Sequence, residues 1–212
     1  MKLVKKVSWL PPVLVKFNLT ELAESHARRL LSALVTDQIT KKGTDRQNVY
    51  IIRLSGSVAI DYPKRASSVI YVGSGNAVSR IKSHRRRLVA LLHKITGAGL
   101  SIHIATPRRR RFKKFYKYIE ADFIRLFFRL HGALPLLNRN KERKLSGKMR
   151  YSPKVSRQFR KKLLIGPGQK VLWSILPTRR NRELFDVYRR GIPEKIQNLI
   201  RQLEKSKVDD SY

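Results

Sequence analysis

The chain has 212 residues, 42% of them hydrophobic, so it can form a substantial core and is too apolar to be wholly disordered. Its 48 lysines and arginines face only 14 aspartates and glutamates, a formal charge of +34 that favours a polyanionic partner. The sequence has no cysteine, which excludes disulfides, zinc–cysteine sites and thiol nucleophiles.

The N-terminal part is predicted to be an extended segment over residues 1–18 followed by a helix over 19–35. The apolar stripe of that helix consists of Leu22, Leu30, Leu31 and Leu34. Residues 36–47 are polar and are predicted to be a loop. The apolar residues that follow Asn48 predict a first strand over 48–54.

A strand, a glycine-containing turn and a helix follow one another between residues 69 and 95. Val69 to Val72 is predicted to be the strand, and Asn76 is a favourable N-cap for the helix. Arg80 and His84 are four residues apart, so they share one face of that helix.

The strictly alternating segment from Leu100 to Ala105 predicts a third strand, and a helix is predicted over about 115–130. The order strand, strand, helix, strand, helix predicts an α/β (α+β) domain. Its small, mostly antiparallel three-stranded sheet would be flanked by helices, and its first two strands would pair as a wide hairpin.

The composition changes after Asn138. Residues 139–162 contain eleven lysines and arginines against one acid, and a strand over 171–176 and a final amphipathic helix from Pro193 are predicted beyond them. We therefore predict three segments. These are a lead-in with a helix (1–45), an α/β domain (46–140) and a basic nucleic-acid-binding extension (141–212).

Six positions in residues 46–140 form a recognisable pattern. The triplets Asn48-Val49-Tyr50 and Tyr71-Val72-Gly73, followed by Arg80, His84, Glu120 and Asn138, resemble the GIY-YIG nuclease family. The predicted order of strands and helices also matches that family. The sequence departs from it in two ways: Asn48 stands where the family usually has Gly, and the loop between the two tyrosines is long.

The resemblance implies a role for each of these residues. Tyr50 would be the base, with Tyr71 and His84 in support, and Arg80 would bind the phosphate. Glu120 would be the protein ligand of one Mg²⁺ or Mn²⁺ ion. Gly73 and Asn138 would flank the active site. The residue chemistry alone leaves open whether Tyr50 or His84 activates the water.

Basic clusters without acidic neighbours are candidates for contacts with nucleic acid. These candidates are Arg85, Arg86, Arg87, Arg108, Arg109, Arg110, Arg111, Lys113, Lys114, Arg157, Arg160, Lys161 and Lys162. Each cluster could instead be a solvated surface. In the same way, Tyr50 and Tyr71 could be ordinary strand aromatics, and Glu120 could form an ion pair with Lys117 or Arg125.

Two functions remain open from the sequence. The first is a divalent-metal-dependent endonuclease that hydrolyses phosphodiester bonds, with DNA favoured over RNA as the partner. The second is a non-catalytic nucleic-acid-binding protein with a nuclease-like fold, such as a component of a ribonucleoprotein. We expect an intracellular protein, cytoplasmic or nucleoid-associated and not secreted, because no signal peptide or apolar span is apparent. We expect no membrane partner, and the sequence leaves open whether the protein is a monomer or a dimer.

Overall fold

The computed structural model describes residues 2–15, 23–40, 47–93, 98–107, 112, 114–139, 145, 147, 149–166, 169–176 and 186–189. The helices are α1 (Glu24–Thr40), α2 (Ala77–His93), α3 (Phe115–His131) and α4 (Pro153–Leu163). The strands are β1 (Lys2–Val4), β2 (Val13–Val15), β3 (Asn48–Ser55), β4 (Val58–Ile60), β5 (Val69–Gly75), β6 (Gly99–Ala105), β7 (Met149–Tyr151), β8 (Trp173–Leu176) and β9 (Asp186–Arg189).

The main sheet has four antiparallel strands in the order β2-β6-β3-β5. The predicted α/β class is confirmed, and so are the three predicted strands, which are β3, β5 and β6. The prediction of a three-stranded sheet was wrong by one strand, because β2 lies in the predicted lead-in. This strand has only three residues after two prolines, too few to show an alternating pattern.

Helices cover both faces of the sheet. Tyr71 of β5 packs against α2, with its ring centroid 4.4 Å from that of His84. Ser74 donates a hydrogen bond to Glu120 of α3. Since side chains alternate along a strand, residues three positions apart point to opposite faces. Strand β5 is therefore held between α2 on one face and α3 on the other.

The predicted segment boundaries at 45/46 and 140/141 do not separate hydrophobic cores in the described part of the chain. Strand β1 pairs with β7, and β4 pairs with β8, both in parallel. Phe159 of α4 stacks on Phe123 of α3 with ring centroids 4.0 Å apart. Parts of all three predicted segments thus belong to one core.

Helix α1 ends later than predicted, and residues 19–22 of the predicted helix lie outside the described residues. Its buried residues are Ala27, Leu31, Val35 and Ile39. Ile39 continues the apolar stripe by one turn, so residues 36–40 are helical rather than loop. Leu22 of the predicted stripe lies outside the described residues, as does the predicted helix from Pro193. Helices α2 and α3 agree with the prediction to within two residues.

Helix α4 was not predicted, and its C-terminal end is fixed by side chains from other elements. Arg53 of β3 is 5% exposed and donates to the carbonyl oxygen of Leu164 at 2.5 Å and to Ser68 Oγ at 2.8 Å. Ser67 Oγ donates to the carbonyl oxygen of Leu163 at 2.8 Å, and His131 Nε2 lies 3.2 Å from the same oxygen. A buried cation at the negative end of the helix dipole is favourable.

His103 of β6 lies beside this cluster. Its Nδ1 is 3.0 Å from Lys162 Nζ, and its Nε2 is 2.7 Å from Ser101 Oγ. Because an ammonium group can only donate, Nδ1 must accept, and the ring proton is assigned to Nε2. Burial, followed by the charges of Lys162 and Arg53, lowers the pKa of His103 to about 3.

We expect Arg53→Met to lower the free energy of unfolding by about 3 kcal/mol, because it leaves buried acceptors without a donor. Denaturant unfolding followed by circular dichroism would measure this. Arg150→Met on β7 is the matched control, since Arg150 is exposed and its loss should cost under about 0.5 kcal/mol. Equal effects of the two substitutions would contradict the capping role of Arg53.

His103 should make the protein less stable in acid. Its pKa is about 3 in the folded protein against an ordinary value of 6.5, so its contribution is fully present above pH 6.5 and is lost as the pH falls towards 3. As the pH is lowered from 6.5 towards 3, we expect the free energy of unfolding of wild type to fall more steeply than that of His103→Gln, by up to about 1.4 kcal/mol for each pH unit. Denaturant titrations at several pH values would compare the slopes, and identical slopes would contradict the assignment.

Candidate active site

A cleft of about 1100 Å³ lies at the outer edge of β5, between α2 and the first half of α3. Most of the predicted site residues line it. These are Tyr71, Arg80, His84, Glu120 and Asn138. Tyr50 and Gly73 do not line it. The predicted residues therefore fall into a group that faces the cleft and a pair that lies behind it.

The start of α2 is set by the residue predicted to cap it. Asn76 Oδ1 accepts a hydrogen bond from the backbone N–H of Ser79 at 2.9 Å. The helix then presents Arg80, exposed, and His84, half-buried, one turn apart on its cleft-facing side. The cap thus places both side chains beside Tyr71.

Tyr50 lies on the neighbouring strand β3 and is deeper in the core than Tyr71. It is fully buried, and its ring centroid is 5.9 Å from that of Tyr71. Its hydroxyl is buried and interacts with that of Tyr71. Burial, followed by the neighbouring Tyr71 and Glu120, raises the pKa of Tyr50 far above its ordinary range. At neutral pH this hydroxyl is protonated, and it does not reach the cleft.

Gly73 is required by a close approach of the two tyrosines. A Cβ at this position would lie 2.5 Å from the Tyr50 hydroxyl and 2.6 Å from Tyr71 Cε1. Every other amino acid would therefore push the aromatic rings apart. The need for glycine at position 73 is explained by the space that Tyr50 occupies rather than by backbone conformation, since Gly75 and not Gly73 has a positive φ in this turn.

Glu120 enters the cleft from the opposite face of the sheet. It is half-buried, and its Oε2 accepts a hydrogen bond from Ser74 Oγ. Ser74 was not among the predicted residues. The alternation of β5 was the available signal, because a strand that sends Tyr71 and Gly73 to one side sends Ser74 to the other.

His84 is the group in the cleft best suited to accept a proton. Burial, followed by the charges of Arg87, Arg80 and Arg139, lowers the pKa of His84. The imidazole is therefore neutral at pH 7. Tyr71 remains a hydrogen-bond donor there, because burial raises the pKa of its hydroxyl. Two neutral groups, one a base and one a donor, thus lie side by side.

Asn138 completes the edge of β5. Its Oδ1 accepts from the Val72 N–H at 2.9 Å, and its Nδ2 donates to the Val72 carbonyl at 2.8 Å. The neighbouring Leu137 N–H donates to the Ile70 carbonyl at 2.9 Å. Asn138 thus pairs with the strand as a neighbouring strand would, using one N–H and one lone pair of its amide.

The cleft is strongly cationic. The basic side chains that line it are Arg80, Arg86, Arg87, Lys117 and Arg139, and the acidic ones are Glu24 and Glu120. Glu24 forms an ion pair with Arg28 at 2.6 Å. Lys117, Arg139 and Glu24 were not predicted as site residues. Arg85, which was predicted, is exposed beside the cleft but does not line it.

The predicted basic clusters differ in exposure. Lys114, Arg157, Arg160 and Lys161 are exposed. Lys162 is only partly exposed: its ammonium group turns inward to His103 and lies 5.2 Å from the ring centroid of Trp9. Predicted contacts outside the described residues are Arg108, Arg109, Arg110, Arg111 and Lys113.

Both departures from the GIY-YIG pattern are accommodated in the sheet. Asn48 stands in the ladder opposite Gly75, and its Oδ1 accepts from Thr106 Oγ1 at 3.0 Å. The long loop between the tyrosines contains β4, which pairs with β8. Neither feature removes a polar side chain from the cleft.

The donors in the cleft fit a hard divalent cation with few protein ligands. In the described part of the chain, no group of three or more His, Asp or Glu side chains could hold a metal ion. A single carboxylate, completed by waters and phosphate oxygens, is a common way to bind Mg²⁺. Glu120, held by Ser74, is a carboxylate that lines the cleft.

No family model, curated protein or solved structure significantly matches the chain. None of the helices in the described ranges is long and apolar enough to cross a membrane. Function must therefore be inferred from the geometry and charge of the cleft.

We expect Gly73→Ala to lower the free energy of unfolding by about 2 kcal/mol and to separate Tyr50 from Tyr71, because the added methyl group overpacks the site. Denaturant unfolding and near-UV circular dichroism would record both effects. Gly166→Ala is the control, since its Cβ would be 3.4 Å from the nearest atom, an ordinary contact. Wild-type stability of Gly73→Ala would contradict the packing described.

Proposed function

We propose that the protein is a divalent-metal-dependent endonuclease that hydrolyses phosphodiester bonds in nucleic acid, with DNA favoured. The observation that supports this most strongly is the shared cleft of Tyr71, Arg80, His84 and Glu120. They come from a strand and two helices, and each has a different chemical property. Together they offer a hydrogen-bond donor, a cation, a neutral base and a carboxylate.

Each group matches one requirement of phosphodiester hydrolysis. The guanidinium of Arg80 binds the non-bridging oxygens of the scissile phosphate and offsets the charge that grows in the transition state. Glu120 would hold a Mg²⁺ or Mn²⁺ ion beside that phosphate. The ion, when bound, stabilises negative charge on the phosphate and on the departing oxygen.

We assign the proton acceptor to His84 rather than to Tyr50. A general base must reach the water from which it takes a proton, and Tyr50 is buried behind Tyr71. His84 lines the cleft and is neutral at pH 7 because of its lowered pKa. Its Nε2 is buried, so we assign the proton that it accepts to Nδ1. Tyr71 donates a hydrogen bond to the water or to a phosphate oxygen. Tyr50 supports the ring of Tyr71 from behind.

A second candidate is a nucleic-acid-binding protein without catalytic activity. The observation in its favour is that cations extend well beyond the cleft: on α4, every exposed residue except Pro153 is a lysine or arginine. Such a protein would bind nucleic acid with a steep dependence on salt and would not cleave it, whichever metal is added.

We expect the wild-type protein to nick supercoiled plasmid in the presence of Mg²⁺ or Mn²⁺, and Glu120→Gln to slow this by about a thousandfold or more. Arg80→Ala and His84→Ala should each lose at least about a hundredfold. Gel analysis of nicked and linear products would give the rates, and a parallel assay would use RNA. One site per chain cuts one strand, so linear product would indicate a dimer or a second visit.

Glu24→Gln is the matched control, because Glu24 is a carboxylate that lines the same cleft but pairs with Arg28. Its rate should stay within about threefold of wild type. Absence of cleavage by wild type on DNA and RNA, together with intact salt-dependent binding, would favour the non-catalytic candidate. Equal rates for Glu120→Gln and wild type would overturn the metal-ligand assignment.

A further inference from the structure

The solvent-facing sides of α3 and α4 carry a set of cations outside the cleft. Lys114, Arg125 and Arg129 are exposed, and their spacing places them on one face of α3. Strand β7, whose Arg150 is exposed, packs against both helices. We define the α3–α4 basic surface by eight exposed residues: Lys114, Arg125, Arg129, Arg150, Lys154, Arg157, Arg160 and Lys161.

The acidic residues near this surface are withdrawn from solvent. Between Asp61 and Glu142 the sequence contains only two acids, Glu120 and Asp122. Glu120 faces the cleft. Asp122 is half-buried, where its Oδ2 accepts from the Tyr151 hydroxyl at 2.6 Å and its Oδ1 accepts from the Gly147 N–H. Asp122 interacts electrostatically with Arg125 and Arg129, but in the described part of α3, β7 and α4 no exposed carboxylate stands among the eight cations.

The apolar side of α4 is already occupied. Val155, Phe159 and Leu163 are buried in the core. Among the described residues, the large exposed apolar side chains are Leu3, Leu14 and Leu172, none of which is on α3 or α4. A helix that binds a membrane surface inserts an apolar face, which α4 cannot offer. The charge on this surface therefore favours a nucleic-acid backbone over a lipid surface.

The surface adjoins the cleft and has a defined length. Lys117, which lines the cleft, is one turn from Lys114 on α3. From Lys114 to Arg129 the helix extends about 22 Å at 1.5 Å per residue. This corresponds to about six base pairs at 3.4 Å each. The C-terminal end of α4 is fixed by Arg53, Ser67 and His131, so its cations are held in place before any ligand binds.

We propose that the α3–α4 basic surface binds the backbone of the nucleic acid that enters the cleft, along a stretch of about six base pairs outside it. The identity of the cleft rests on the proposed function, but binding to this surface does not require cleavage. The substrate is therefore an extended polynucleotide rather than a single nucleotide or a short oligonucleotide.

The test measures binding without catalysis. A fluorescein-labelled duplex of about 24 base pairs is titrated with protein in EDTA, and anisotropy gives Kd at several KCl concentrations from roughly 50 to 300 mM. The variants are Arg125→Gln/Arg129→Gln and Arg157→Gln/Lys161→Gln. Arg29→Gln is the control, because Arg29 is exposed on α1, which packs against α2 rather than α3. Circular dichroism confirms that each variant is folded.

Each double variant should raise Kd by roughly tenfold at physiological salt and reduce the slope of log K against log salt by about 2, while Arg29→Gln changes neither. Unchanged slopes in both double variants, or an equal effect of Arg29→Gln, would overturn the inference. Preferential binding to anionic phosphatidylserine vesicles over the duplex would also overturn it. Reduced binding in the double variants of a protein that never cleaves would overturn the proposed function alone.

Discussion

The position of β5 at the edge of the main sheet is the constraint on which the candidate site depends. The strand has two faces and one outer edge, and each carries a different part of the site. One face holds Tyr71 against α2, and the other joins Ser74 to Glu120 of α3. The outer edge binds Asn138. Groups more than 40 residues apart in sequence meet because a strand of seven residues reaches all of them.

A second constraint is the fixation of a highly charged helix. Helix α4 has several exposed cations and no acidic residue, so mutual repulsion opposes its folding. Two features oppose that repulsion. The apolar face of α4, which includes Phe159, is buried in the core, and Arg53 and Ser67 donate hydrogen bonds to the carbonyl groups at the C-terminal end of the helix. Arg53 and His103 are polar residues within the sheet, yet they serve this attachment rather than the cleft. The same sheet therefore supports the candidate site at its edge and a basic surface on one face.

The sequence predicted secondary structure best where a strand or helix is long and is bounded by a residue that favours a strand end or a helix cap. Strands β3 and β6, and α2 with its Asn76 cap, were predicted for that reason. It was least informative for α4, where basic residues obscure the four-residue spacing of Val155, Phe159 and Leu163. The depth of Tyr50 could not be predicted, because both faces of β3 are buried and alternation gives no indication of which residue lies deeper. The inward turn of Lys162 depends on contacts between distant elements.

Asn138 also has a consequence for the solubility of the molecule. An edge strand exposes backbone donors and acceptors that can pair with a strand of another chain, and proteins block such edges with charges, prolines or covering segments. Here the outward-facing N–H and carbonyl groups of Val72 are both hydrogen-bonded by the side-chain amide of Asn138. A covering strand would have closed the edge along its whole length, including the end near Ser74 and Gly75 that borders the cleft. The Asn138 amide and the Leu137 N–H thus cover the edge only at Val72 and Ile70, and the end at Ser74 and Gly75 faces the cleft.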